Sequence, residues 1–292
     1  MRVGIVAARE GAEMYSALVR AAGMEPLAWS GAGVPEGVRA VDQLAGEVDV
    51  LLIALPADQI RRTVRALGPG PADRVVLAGR GFEPRTGLRL SEVVESETAC
   101  LRVGVLAGPI LPGEVRRGSP SAGVCASRFD EVAETTARAL HSSLCRVYPS
   151  PDLVGVELSG ALVEVVQAAL GTARGLGLGV GTQALVVSRG IAEGSRLASH
   201  SGGDPRTFAG LAGAGELIAC LGVPDHGGLH RGLALARGET DLPLAALCAR
   251  LVELEPDLPI TAGLLRVARG EIRAVDALNG LLARGTREEF TG

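Results

Sequence analysis

RVGIVAAREGAEMYSALVRAAG, residues 2–23, decides the fold of this chain. Arg2 to Ala7 is a short apolar, β-branched run that reads as a strand, and Ala12 to Ala22 carries helical periodicity and stops at Gly23, a favourable end for a helix. A strand that turns at once into a helix opens a βαβ unit. Working outward, Leu27 to Trp29 predicts a second strand. Val48 to Leu55 (VDVLLIAL) is apolar throughout, as a strand covered on both faces must be. Asp58 to Leu67 predicts a helix with Asp58 near its N-terminus. Arg74 to Ala78 and Val103 to Ala107 continue the sheet. Val115 to Gly118 leads into a strand at Ala122 to Ala126, then a helix at Asp130 to Leu140 and a last strand near Cys145 to Tyr148. Residues 1–151 therefore read as a doubly wound α/β domain.

Beyond Pro151 strand-like alternation stops and helical periodicity takes over. Gly155 to Arg174 predicts one long apolar helix, followed by a glycine-rich break from Gly175 to Gly181. Further helices are expected near Thr182 to Ser199, Pro205 to Leu211, Glu216 to Leu221 and Leu229 to Ala236, and on through Leu282. Residues 152–292 are thus expected to form a second, all-α domain, and a chain of 292 residues suffices for two cores.

Composition bounds the function. Apolar residues make up 47% and charged ones 21%, which describes a folded globular protein. The formal charge of −4, with no basic cluster interleaved with aromatics, gives no support to a nucleic-acid surface. No uninterrupted apolar run reaches the length of a membrane span, and the chain opens in a strand rather than a signal peptide, so a soluble cytoplasmic protein is expected. The five cysteines, Cys100, Cys125, Cys145, Cys220 and Cys248, lack any CxxC spacing, so neither a metal site nor a disulfide framework is expected. All 29 basic residues are arginine, which excludes any mechanism that needs a lysine ammonium.

Six stretches, in this order, carry a resemblance: Gly79–Ser91 (GRGFEPRTGLRLS), Val105–Val115 (VLAGPILPGEV), Val154–Leu162 (VGVELSGAL), Ser188–Leu197 (SRGIAEGSRL), Gly203–Leu217 (GDPRTFAGLAGAGEL) and Asp257–Ala262 (DLPITA). Together they resemble the bacterial-type NAD(P)-dependent glycerol-3-phosphate dehydrogenases over nearly the whole length. The resemblance implies a Rossmann-type domain that binds NAD or NADP, a helical domain that closes over substrate, and hydride transfer between the nicotinamide and dihydroxyacetone phosphate. It also implies a homodimer and a small phosphorylated metabolite as partner.

Carried over residue by residue, the resemblance shows where this chain departs. The dinucleotide loop reads Ala7-Ala8-Arg9-Glu10-Gly11-Ala12, and two registers are open. In one, Ala7, Arg9 and Ala12 hold the three fingerprint positions, with Arg9 where the pyrophosphate should lie. In the other, the loop is shifted so that Gly11 faces the phosphates and Arg9 pairs with them. Trp29 persists from the second strand, but Gly31 stands at the family's arginine there. Arg80 replaces a lysine near substrate and cofactor and could clamp a phosphate bidentately. Gly108 and Pro109 persist from the loop over the cofactor, whereas Ile110 and Pro112 depart from the pattern. Where the family reads GALKN, with lysine as proton donor or acceptor, this chain reads Gly160-Ala161-Leu162-Val163-Glu164. Valine cannot transfer a proton. Glu216 stands for the aspartate of GLGDL, and His226-Gly227-Gly228 stands for the SRN loop that grips phosphate and cofactor, with His230 and Arg231 close behind.

Two readings follow. One is a homologue that keeps the fold and acts by binding or as a scaffold without the family reaction. The other is an active oxidoreductase on a small phosphorylated or carbonyl substrate, with Arg80 as clamp, Glu216 retaining a carboxylate, and His226 or His230 as the substitute acid.

Overall fold

The computed structural model describes residues 1–30, 48–70, 73–223 and 227–283. The chain divides into two compact units, Met1–Glu157 and Leu158–Gly292.

The first unit is built from β1 (Arg2–Ala7), α1 (Arg9–Ala21), β2 (Glu25–Ser30), β3 (Val50–Ala54), α2 (Ala57–Leu67), β4 (Val75–Leu77), α3 (Leu90–Glu97), β5 (Val103–Ala107), α4 (Pro112–Arg116), β6 (Ser121–Ser127), α5 (Asp130–Leu140) and β7 (Cys145–Ser150). Its seven strands lie in the order β2-β1-β3-β4-β5-β6-β7. All neighbouring pairs are parallel except β5 with β6, which run antiparallel with Leu106 opposite Cys125. Ile5, Leu52 and Val76, from three adjacent strands, are buried in the core with Leu18 of α1 and Val132 of α5. This is the Rossmann-type sheet the sequence predicts, with two additions. Val115 lies in the short helix α4 rather than leading straight into a strand, and Leu90–Glu97 forms a helix where none was expected.

The reason α3 escapes a sequence reading lies in its cap. Arg89 stands at the N-cap and makes no side-chain cap bond to the helix. The carboxylate of Glu157, 66 residues away, instead accepts the Ser91 N–H at 2.9 Å and the Ser91 hydroxyl at 2.7 Å. That bond also ties the first turn of the next helix, α6 (Leu153–Gly175), to the first unit, so the division between units falls inside α6.

The second unit continues α6 and adds α7 (Val180–His200), a 3-10 turn (Pro205–Ala209), a π-turn (Leu211–Gly215), α8 (Glu216–Gly222), α9 (Gly227–Ala236), α10 (Leu242–Leu254), α11 (Pro259–Ala268) and α12 (Ala274–Leu282). No strand occurs among its described residues. Contrary to the run-length reading, α6 is apolar and long enough to cross a membrane, with mean hydropathy 1.6. Of its most apolar window, 83% is buried inside the fold, as in the core helix of a globular protein.

Two backbone approaches organise this unit. Along α6 and α9, contacts recur in parallel register at four-residue steps. Gln167 meets Gly228, Gly171 meets Gly232, and a Cβ on Gly175 would lie 2.5 Å from that of Ala236. A Cβ on Gly232 would run into the Ala168 carbonyl and the Thr172 amide, so only glycine lets the helices come this close. The second approach is at Phe208, where a Cβ on Gly194 would run into the ring and one on Gly213 into the Phe208 backbone carbonyl. Glu193, buried one residue before Gly194, accepts the N–H groups of Ile260 and Thr261 and the Thr261 hydroxyl. It thereby caps α11, whose own N-cap residue, Leu258, has no side-chain acceptor.

Gly232→Ala is expected to cost about 1–3 kcal/mol in urea denaturation, by overpacking against backbone that cannot move aside. Gly280→Ala, in open space on α12, is expected to raise stability by up to about 1 kcal/mol through helix propensity alone.

Candidate functional site

In the first unit the strand order reverses at β1, which has β2 on one side and β3 on the other. In open α/β sheets ligands settle at the carboxyl ends of the strands beside such a switch point. A single residue, Ala8, joins β1 to α1, in extended conformation and with its carbonyl accepting the Ala12 N–H at 2.9 Å. No side chain caps α1. The N–H groups of Arg9, Glu10 and Gly11 precede the first intrahelical donor, so the turn presents unpaired donors and a positive helix end, as a pyrophosphate requires.

The side chains around this turn face elsewhere. Arg9 is 88% exposed and pairs with Glu13 one turn along α1, at 3.6 Å. Glu10 pairs with Arg116 of α4 at 2.9 Å. A Cβ on Gly11 would lie 3.3 Å from that of Ala7, so Gly11 lets the helix pack close to the strand end. Ala12 is buried beneath the turn. The backbone therefore fits a dinucleotide phosphate, and Arg9 does not fill the groove. Gly31 lies outside the described residues.

After β4, Gly79 passes so near the end of β3 that a Cβ would sit 2.9 Å from the Leu55 carbonyl, and Arg80 follows, half-buried. The loop beyond is fixed by Glu83, which accepts from Arg61 Nε at 3.1 Å and from the Thr86 N–H at 2.8 Å. Burial pushes the Glu83 carboxyl up, but the bonds from Thr86 and Arg61 outweigh it and hold the group at about 2. Gly108, after β5, has φ +123° and would place a Cβ 2.7 Å from the Gly123 Cα. Its presence follows from the backbone path.

In the second unit Val163 is fully buried on α6. Glu164, the next residue, forms an ion pair with Arg231 of α9. Arg231 is gripped on its other side by Asp241, which accepts from Nε at 2.6 Å and from a terminal guanidinium nitrogen at 2.8 Å. Asp241 also caps α10 by accepting the Leu244 N–H at 3.0 Å. The hydrogen bond with Asp241 raises the Arg231 guanidinium still further. Burial would raise Asp241, but its bonds from Arg231 and Leu244 keep it low. Glu216 is buried at the start of α8, directly after the π-turn. Such a turn shifts the helical register and re-aims the residue that follows. Gly227 and Gly228 form the first residues of α9, Gly228 buried against Gln167, while His230 is exposed on the same helix. His226 lies outside the described residues.

Comparison with known proteins matches this architecture. The N-terminal model of NAD-dependent glycerol-3-phosphate dehydrogenase matches residues 28–133, and the C-terminal model matches residues 152–242. The glycerol-3-phosphate dehydrogenase [NAD(P)+] of Methylibium petroleiphilum is 38% identical over 259 residues, covering 82% of this chain and 76% of its own. That of Stenotrophomonas maltophilia is 35% identical over 281 residues, covering 89% and 82%. The chain belongs to the NAD-dependent glycerol-3-phosphate dehydrogenase family. The crystal structure of glycerol-3-phosphate dehydrogenase from Coxiella burnetii shares the fold, with a TM-score of 0.81 at 23% identity over 97% of this chain and 99% of that one.

Within the family frame, the retained motif stretches have structural employment here. VGVELSGAL and GRGFEPRTGLRLS meet through Glu157 and Ser91. SRGIAEGSRL and DLPITA meet through Glu193 and the start of α11. GDPRTFAGLAGAGEL supplies Phe208, which packs on Gly194, and Gly213, which lies against the Phe208 backbone. Val163, which the resemblance aligns with the lysine of GALKN, is core here, and Glu164 after it is an ion-pair partner. Sequence reasoning missed Asp241, Glu193, Glu157 and Gln167. The available signal was indirect: Arg89 and Leu258, at the N-caps of α3 and α11, make no side-chain cap bond, and although Glu92 accepts the Arg89 N–H at 2.9 Å, the next donors of α3 and those of α11 are met by carboxylates from distant segments.

The pH dependence of the first unit follows from Glu83. Its folded pKa of about 2 lies below that of an unfolded glutamate, so the unfolded chain takes up the proton first. This contribution to stability is complete above the ordinary carboxylate range and drains away as pH falls toward about 2. Denaturation midpoints of the natural chain are expected to drop across that window, and those of Glu83→Gln to start lower and drop less.

Proposed function

We propose that this chain is a member of the glycerol-3-phosphate dehydrogenase family that does not perform the family's hydride transfer and acts by binding, as a scaffold or sensor. The observation that carries this reading is Val163. It stands where the family's proton-transferring lysine stands and is fully buried, and the sequence contains no lysine to take its place from elsewhere. Loss of a general acid or base lowers rates by factors on the order of 10² to 10⁴. Glu164 does not compensate: it is committed to Arg231 and carries the wrong charge for an oxyanion.

Nucleotide binding is a separate matter, and the β1–α1 turn supports it. A nicotinamide dinucleotide would supply the hydride in the family's chemistry. Here the backbone N–H groups of Arg9, Glu10 and Gly11 would hold its pyrophosphate, with close packing at Gly11 bringing the helix end to it. The competing reading, reduction of a small phosphorylated ketone, draws its support from Arg80, whose cation persists half-buried beside Gly79.

Titration with NADH and NADPH, read by nicotinamide fluorescence and thermal shift, separates these readings when paired with a turnover assay on dihydroxyacetone phosphate. Dinucleotide binding with no oxidation above background is expected. Turnover abolished by Arg80→Ala would overturn the proposal in favour of a re-tooled enzyme.

A further inference from the structure

We infer that Arg116 of α4 is a positioning residue for the dinucleotide: it holds the Glu10 carboxylate off the amino end of α1 and so keeps the phosphate donors there open. The inference rests on the binding reading above and concerns residues of the first unit only.

Glu10 is an adverse neighbour for a phosphate. It is the second residue of α1, between Arg9 and Gly11, and the N–H groups of these three residues are the donors of the turn. An acid in the first turn is drawn to the positive end of its own helix. Left to itself, the Glu10 carboxylate would be a rival acceptor for those N–H groups and a like charge beside a pyrophosphate. Yet no side chain caps α1. Glu10 is turned aside instead, its Oε1 accepting from Arg116 Nη1 at 2.9 Å across 106 residues of sequence.

The cation comes from a fixed place. Val115, which precedes Arg116, is buried in the same core as Ala7 and Ala12, the residues that flank the turn. α4 is therefore seated against the turn by apolar packing, whether or not the ion pair forms. The other charges nearby are matched elsewhere: Arg9 pairs with Glu13 at 3.6 Å, and Arg117 pairs with Glu114 of its own helix. Arg116 and Glu10 are 57% and 60% exposed, so their pair adds little to the stability of the fold. Its effect falls on the turn. Arg116 also stands one residue beyond Val105–Val115, outside the stretches that carry the family resemblance, so the resemblance gives it no role.

The test is titration of the full chain with NADH and with NADPH, read by nicotinamide fluorescence, following whichever binds more tightly. It compares the natural protein with Arg116→Ala, Glu10→Gln and the double variant. Arg116→Ala is expected to weaken binding by about tenfold or more, because the released carboxylate returns to the helix end. Glu10→Gln is expected to bind at least as tightly as the natural chain. With Glu10 neutral, Arg116 has nothing left to restrain, so the double variant should bind within about twofold of Glu10→Gln. The factor lost in Arg116→Ala should also shrink as salt is added, because the repulsion is exposed to solvent. Melting temperatures without ligand are expected to agree across the four proteins.

A double variant that loses the same factor as Arg116→Ala would make Arg116 a direct phosphate ligand or a merely structural residue, and would overturn the inference. Unaltered binding in Arg116→Ala would overturn it and leave the binding reading standing. Binding by Glu10→Gln but not by the natural chain would overturn it alone, since Glu10 would then be unrestrained. Binding by neither would overturn the binding reading and this inference with it.

Discussion

The second unit depends on backbone meeting backbone. Where Gly232 of α9 lies on Ala168 and Gly171 of α6, nothing larger than hydrogen separates the two chains, and the Thr172 hydroxyl reaches across to the Gly232 carbonyl at 3.2 Å. Helices held that close fix each other's rotation, because dispersion contacts at this range fall away within a fraction of an ångström. Every group of possible chemical interest on α6, namely Val163, Glu164 and Gln167, inherits its direction from this crossing. The same helix gives its first turn to the other unit through Glu157, so a single element carries constraints in both.

Buried carboxylates are the second recurring device. Glu157 and Glu193 are taken out of water at a cost that shows in their acidity: burial pushes both up, Glu193 to about 6, although N–H donors pull the other way. Each satisfies donors at the start of a helix: Glu157 takes the Ser91 N–H of α3, beside the Arg89 N–H taken by Glu92, and Glu193 takes those of Ile260 and Thr261 in α11. The arrangement gives stretches far apart in sequence, Gly79–Ser91 with Val154–Leu162 and Ser188–Leu197 with Asp257–Ala262, a shared structural duty. The motifs hold the fold together through their glycines and carboxylates.

Much of this was legible in the residues themselves. Val103–Ala107 and Asp130–Leu140 form as strand and helix with the bounds their patterns imply, because apolar periodicity and local ends agree there. α1 starts at Arg9, earlier than Ala12, because Ala8 gives no side-chain signal for a helix start. α3 was illegible because Arg89 is not a capping residue type and part of its cap, Glu157, is remote. At the candidate site, the substitution at Val163 could be read directly, since it is a matter of residue type. The Glu164–Arg231–Asp241 network could not, because its members stand 67 and 10 residues apart and only the α6–α9 crossing brings them together. Gln167 gave no signal at all: a glutamine inside an apolar helix looks like a tolerated surface residue until its burial is known.

The ion pairs of this protein have one further property in common. Arg61, Arg89, Arg116 and Arg231 are all guanidinium partners, as every basic side chain in the sequence must be. A guanidinium stays protonated at any pH a folded protein survives. The positive half of the electrostatic framework is therefore a constant, and only acids, histidines, thiols and phenols can be titrated against it. The same fact leaves no side chain for amine-directed chemistry: acetylation, Schiff-base capture and amine-reactive cross-linkers find no lysine side chain to modify, and side-chain labelling of this protein turns instead to groups such as its carboxylates, arginines and buried thiols.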